Sequence, residues 1–254
     1  MYKKSLFSLI ELLIVFSILG ILTSLLQPSL KKMIQSAESL HCKNNLKQLG
    51  IALSTYADSE GYYPVGIGRG AWIWPTLIRS YLDDSNNTEI FKCPTAPDAA
   101  QWNVVYDNNL PAELGYFQGE RRLRANGTSF MSYGYNVWGS FTHVNKGLGV
   151  LLGDKTRGER LVNSIVRPDN MIAMADSNWD LDRNGDSRWS GFIGMYAERQ
   201  WPLDLHNYYA NLLFADGHVE ELQRIDFVGQ LNTDSQARQE AAKKWNSDNQ
   251  PYFN

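Results

Sequence analysis

Phe7-Ser8-Leu9-Ile10-Glu11-Leu12-Leu13-Ile14-Val15-Phe16-Ser17-Ile18-Leu19-Gly20-Ile21-Leu22-Thr23-Ser24-Leu25-Leu26 carries a single ionisable side chain, Glu11. At a rise of 1.5 Å per residue, about twenty apolar residues match a hydrocarbon core of roughly 30 Å. The stretch therefore predicts a membrane-spanning helix over residues 7–28. Lys3 and Lys4 precede it and are expected to hold the N-terminus in the cytoplasm, which sends the remainder of the chain across the bilayer. A secretory signal has a shorter apolar core and a small-residue cleavage site, whereas this run continues into Gln27 and Pro28. A plain signal anchor is the simplest alternative, but it leaves Glu11 unexplained. A carboxylate at membrane depth costs at least ~2.5 kcal/mol and marks function.

Beyond Pro28, Leu30, Met33, Ala37 and Leu40 recur at helical spacing, and Cys42, Leu46, Leu49, Leu53 and Tyr56 continue the stripe. The pattern predicts an amphipathic second half, residues 29–58, with the helix reaching Ala57 and a kink at Pro28. The expected fold class is α+β: one long helix, half in lipid and half packed on an antiparallel β-sheet head with long loops. The head is assigned to 59–228. Ile172 to Ala175 and Ala210 to Ala215 read as strands, the second closing at Asp216-Gly217, a type I′ hairpin signal before His218-Val219-Glu220. Residues 229–254 are polar and read as a surface tail. Gly66, Gly68 and Gly70 fall in a turn region with no strand-to-helix context, so they form no phosphate cradle.

The string Phe7 to Val15 is similar to the processing site of type IV prepilins and pseudopilins. The resemblance implies a leader of residues 1–6, a peptidase cut between Leu6 and Phe7, and methylation of the new amine. Glu11 becomes the fifth mature residue, where it neutralises the terminal amine of a neighbouring subunit. The family carries Gly before the cut, and this chain carries Leu6. Later landmarks resemble a pilin-like family that ends in an H-x9-D-G motif. They are the segment from Cys42 to Leu53, Phe91-Lys92-Cys93-Pro94, Ser132 to Asn136, Ala173 to Ser177, and His206 with Asp216-Gly217. The implied protein is a structural subunit of a type II secretion pseudopilus or a type IV pilus-like filament. Its implied partners are the prepilin peptidase, other pilin-like subunits, the inner membrane and a secreted cargo, with the head periplasmic or extracellular.

Export places Cys42 and Cys93, the only two cysteines, in an oxidising compartment where a disulfide is expected; two separate thiols are the alternative. A bridge closes a loop of about 50 residues and contributes roughly 3 to 4 kcal/mol. Asp180, Asp182, Asn184 and Asp186 place oxygen ligands at alternate positions around Gly185, as in the first half of a calcium loop. The acidic residue expected at loop position twelve is Gly191, so Asp176 or Glu198 would have to complete the shell; a solvated Asp/Asn/Gly turn is the alternative.

His206, Asp216 and His218 offer ligand chemistry, but a structural role is favoured, with His206 hydrogen-bonded to Asp216 or to a free backbone group. No nucleophile elbow, H-E-x-x-H pair or complete P-loop is present, so an enzyme is not expected. The net charge of -3 offers no basic stripe for nucleic acid. An alternative function is an anchored binding module, in which Trp72, Trp74, Trp102, Trp138, Trp179, Trp189 and Trp201 stack on a polysaccharide or other polymer; a core role for these rings is the competing account.

Overall fold

The computed structural model describes residues 8–68, 73–84, 88–96, 131–139, 146–149, 151–153, 160–177, 191–195, 201–229 and 236–251. One helix, α1 (Leu9–Glu60), runs for 52 residues, about 78 Å at 1.5 Å per residue. It starts in a capping box: the Ser8 side chain accepts from the Ile10 N–H, and Glu11 Oε2 accepts from the Ser8 N–H at 2.8 Å. It ends at Gly61, whose left-handed φ of +81° lets its N–H reach the Ala57 carbonyl at 2.8 Å. The helix therefore extends three residues past the expected end at Ala57. Pro28 lies inside it without interrupting the helical assignment.

Burial on α1 begins at Ser39 and includes Cys42, Asn45, Leu46, Leu49, Gly50, Ala52, Leu53, Tyr56 and Ala57. Leu30, Met33, Ala37 and Leu40 belong to the periodic stripe but are exposed, which corrects the expectation that the whole second half packs on the head. The head reaches only as far down the helix as Ser39, and the apolar spacing below that point is left exposed.

The head holds a five-stranded sheet in the order β5 (Phe192–Ile193), β2 (Tyr133–Asn136), β4 (Ile172–Asp176), β6 (Ala210–Phe214), β7 (Val219–Leu222). All its pairings are antiparallel except β2 with β5, so the sheet is mixed rather than purely antiparallel. Two short strands, β1 (Ile67–Gly68) and β3 (Leu151–Gly153), pair in parallel beside it. Both faces of the sheet are covered. One packs on α1, where the helix crosses β6 so closely that a Cβ on Gly50 would lie 2.7 Å from Leu213 Cδ1. The other packs on α3 (Arg224–Val228) and α4 (Gln236–Lys243); a short helix, α2 (Trp74–Ile78), joins the α1 side. The strand β4 is buried along its whole length, and a register irregularity between Ile172 and Met174 directs Ala173 and Met174 to one core and Ile172 and Ala175 to the other.

Two local expectations change. The β6–β7 turn is not type I′: among its residues only Gly217 has positive φ, +89°, and the Gly217 N–H bonds the Phe214 carbonyl while the Phe214 N–H bonds that of His218. This is a three-residue loop with glycine in the left-handed position, the arrangement that adds a bulge to a type I turn. Nor is the segment after Gly229 a surface tail. Trp245 is fully buried, its indole donates to the Phe227 carbonyl at 2.6 Å, and Asn246 Oδ1 accepts from the Trp138 indole at 2.9 Å. A polar segment enters the core here because one large ring supplies the apolar area and the amides around it are all paired.

Candidate functional site

Four polar side chains from distant parts of the chain meet beneath α1. Cys42 sits on the buried face of the helix, and Cys93 follows a single helical turn, Glu89–Phe91. Asp176 ends β4, and His206 opens the turn that leads into β6. One ligand atom of each lies within 4.8 Å of one of every other, and all four residues are buried. Cys42 and Cys93 are joined as a disulfide with Cα atoms 5.2 Å apart, as expected. The bridge fastens the rod to the sheet domain, and Asn45 supports it by donating to the Lys92 carbonyl at 3.0 Å.

His206 faces the disulfide and Asp176 together. Its Nε2 is 3.6 Å from Cys93 Sγ and 3.4 Å from Asp176 Oδ2, and its Nδ1 is 3.5 Å from Thr95 Oγ1. Asp176 Oδ2 also accepts the Asn211 N–H at 2.8 Å, while Asp176 Oδ1 has no hydrogen-bond partner. Burial pushes the Asp176 carboxyl above its ordinary value; His206 and the Asn211 N–H oppose that rise, and the charge of Glu221 adds to it. Tyr133, paired with Asp176 across β2 and β4, has its phenol raised by burial and by the Asp176 charge, with Asn45 acting the other way.

The backbone holds His206 in place by a tight turn. His206 and Tyr209 exchange both N–H to carbonyl bonds, at 3.0 and 3.1 Å, and Asn207 and Tyr208 take φ of 55° and 72°. Two successive positive φ values make this the type I′ turn, nine residues upstream of Asp216-Gly217, where the sequence signal placed one.

The H-x9-D-G residues do not meet each other. His206 pairs with Asp176, and Asp216, at the far end of β6, accepts from the His218 N–H at 3.1 Å and contacts His218 Nδ1 at 2.5 Å. Of the two partners that the sequence offered His206, Asp216 is not used; the His206 ring meets Asp176 instead, a pair that sequence spacing did not reveal. The structural part assigned to Asp216-Gly217 is the turn just described. Leu6 and Phe7 lie outside the described residues, as do the calcium candidates Asp180, Asp182, Asn184 and Asp186; Asp176, considered as a further calcium ligand, is buried against His206. Trp74, Trp138 and Trp201 are core residues and offer no face to a polymer, while Trp72, Trp102, Trp179 and Trp189 are outside the described set. Glu11 is placed in the exposed apolar half of α1, where it caps the helix.

A long, apolar N-terminal helix welded by its second half to a sheet domain defines a pilin-like α+β protein. The sequence model of the family described as "Protein of unknown function (DUF1559)" matches residues 35–178, more than half of the chain, and the chain belongs to that family of type IV pilin-like proteins. The matched span contains Cys42, Cys93 and Asp176. No curated protein and no solved structure matches the chain. Within the described residues, α1 is long and apolar enough to cross a membrane, which agrees with single-pass anchoring.

Proposed function

We propose that the chain is a structural subunit of a type II secretion pseudopilus or a type IV pilus-like filament. It enters the inner membrane with its N-terminus cytoplasmic, is cut by prepilin peptidase before Phe7, and assembles through α1 with its head outside the cytoplasm. The observation that carries this reading is the length of unpacked helix that bears apolar side chains, first all round and then, beyond Pro28, as a stripe. Every residue from 8 to 37 is exposed, and large apolar side chains run from Leu9 at 83% through Leu30, Met33 and Ile34 to Leu40 at 68%. Leu9 to Leu40 spans about 48 Å at 1.5 Å per residue, well beyond the ~30 Å that lipid covers. A solitary anchor leaves the excess in water; a bundle of like helices buries it. Small residues such as Ser17 and Gly20 suit close helix contact, and a Cβ on Gly20 meets nothing within 4 Å in the single chain.

The buried cluster serves the joint between helix and head in this reading: Cys42, Cys93 and Asp176 have no exposed surface and His206 is 5% exposed. Mass spectrometry of the N-terminus of membrane-recovered protein tests the reading, together with filament sedimentation of Glu11→Ala. A methylated Phe7 and loss of sedimenting filament are expected. An intact Met1, with sedimentation unchanged by the substitution, overturns it.

A further inference from the structure

We propose that Cys42, Cys93, Asp176 and His206 form a zinc site in the dithiol form of the protein, so that metal and disulfide are two alternative closures of one joint between helix and sheet. This goes beyond the filament reading and stands independently of it.

Each donor is of a kind that zinc takes: two sulfurs, one imidazole nitrogen and one carboxylate oxygen, four in all as a closed tetrahedral site requires. The distances agree with that assignment. With metal bonds of ~2.3 Å to sulfur and ~2.0–2.2 Å to nitrogen and oxygen, a tetrahedron has a sulfur–nitrogen edge of about 3.5 Å and a nitrogen–oxygen edge of about 3.4 Å. Here Cys93 Sγ to His206 Nε2 is 3.6 Å, and His206 Nε2 to Asp176 Oδ2 is 3.4 Å. All four ligand atoms lie within 4.8 Å of one another, and the bonded sulfur–sulfur edge has to open.

The frame does not depend on the sulfur–sulfur bond alone. Asn45 ties the Cys93 loop to α1 through the Lys92 carbonyl, and Tyr133 reaches the Cys42 carbonyl at 3.5 Å. Thr95 Oγ1 lies by His206 Nδ1, where it can accept a hydrogen bond from Nδ1–H and leave the Nε2 lone pair for a metal; such outer partners orient ligating imidazoles. Independently, the other carboxylate oxygen, Asp176 Oδ1, is fully buried without a partner, an uncompensated acceptor that a cation bound beside the carboxylate would offset. Two thiolates and one carboxylate around a dication leave one net negative charge, as in a Cys3His site.

Loading needs no redox partner, because zinc displaces the two thiol protons. Conversion to the bridged form does: the two zinc-bound thiolates give two electrons to an exchanging disulfide, which takes two protons from water and becomes two thiols, while the zinc ion leaves.

The test uses the full chain in detergent micelles, in its oxidised form and after reduction by a phosphine. The reduced chain is expected to bind one cobalt(II) or zinc ion, the cobalt form showing thiolate charge-transfer absorption and the visible bands of a tetrahedral ion. Zinc should raise the melting temperature of the reduced chain and leave that of the oxidised chain unchanged. His206→Ala is expected to weaken cobalt binding by roughly tenfold or more, whereas His218→Ala should not change it. If the reduced chain fails to bind cobalt through sulfur, if zinc shifts both forms equally, or if His206→Ala binds as wild type, the proposal is overturned. Should the reduced chain be unfolded without metal, zinc must refold it; failure to do so is equally decisive.

Discussion

His206 Nε2 and Asp176 Oδ2 stand 3.4 Å apart in the interior of the head, contributed by the turn before β6 and the last residue of β4. Each makes the other tolerable, since an isolated carboxylate with no exposed surface is strongly disfavoured in its charged form. The pair also sits against the disulfide, so one small volume couples rod, sheet and turn.

The raised Asp176 carboxyl has a definite consequence for stability. A group whose folded value lies above its unfolded value contributes most below the unfolded value and loses that contribution as pH rises through the folded one. For Asp176 the loss begins at about pH 4, where the unfolded carboxyl starts to ionise. Asp176→Asn removes this titration while keeping an oxygen for the Asn211 N–H. The difference in melting temperature between Asp176→Asn and wild type is expected to move in favour of the variant as pH rises from about 4 towards neutrality. A constant difference across that range contradicts the assignment.

Opening the bridge measures how strongly rod and head are tied. Cys42 and Cys93 are 51 residues apart, and loop closure on that scale restricts the unfolded chain by about 4 kcal/mol. The Cys42→Ala/Cys93→Ala double variant should lose that amount in denaturant unfolding. Fluorescence is a suitable probe because Trp74 and Trp245 are fully buried. A loss under about 1 kcal/mol places most of the joint's strength elsewhere.

How much of this was legible in the sequence depends on the kind of signal. The long apolar helix was visible because such a run has few explanations, β4 and β6 because their apolar runs stop at Asp, and β7 only as the strand expected to return from the Asp216-Gly217 turn. The partner of His206 was hidden: Asp176 ends an all-buried strand, Ile-Ala-Met-Ala-Asp, with no alternation to say which way its side chain points. The stripe at Leu30, Met33 and Leu40 was visible as a face, but periodicity cannot say what covers a face. The parallel pairing of β5 rests on two residues, Phe192 and Ile193, too short a strand to declare itself.

Tyr208 occupies the second central position of the type I′ turn at φ 72° and is 79% exposed. A left-handed conformation costs an L-residue ~1–2 kcal/mol, and glycine's added freedom in the unfolded chain returns ~0.5–1 kcal/mol of that. Tyr208→Gly is therefore expected to stabilise the head by about 0.5–1 kcal/mol, seen as a rise of about 1–3 °C in melting temperature. A fall instead would show that the tyrosine ring makes contacts worth more than its backbone strain.

Trp245 decides whether the C-terminal segment belongs to the head. Its ring is fully buried between α3, α4 and the sheet, its indole N–H satisfies the Phe227 carbonyl, and its own carbonyl accepts from Asn136 Nδ2 at 3.3 Å. Asn136 in turn donates to the Ile172 carbonyl at 2.7 Å, so the same amide ties the segment to β2 and β4. Trp245→Ala leaves a cavity and an orphaned carbonyl, and a loss of about 4–5 kcal/mol is expected. Trp245→Phe keeps most of the apolar volume but not the donor, so its loss should be about half as large. A surface tail would make both substitutions nearly neutral, within about 0.5 kcal/mol. Denaturant unfolding of the two variants beside wild type separates the cases, and the graded order Ala worse than Phe distinguishes ring volume and hydrogen bond from a merely intolerant position.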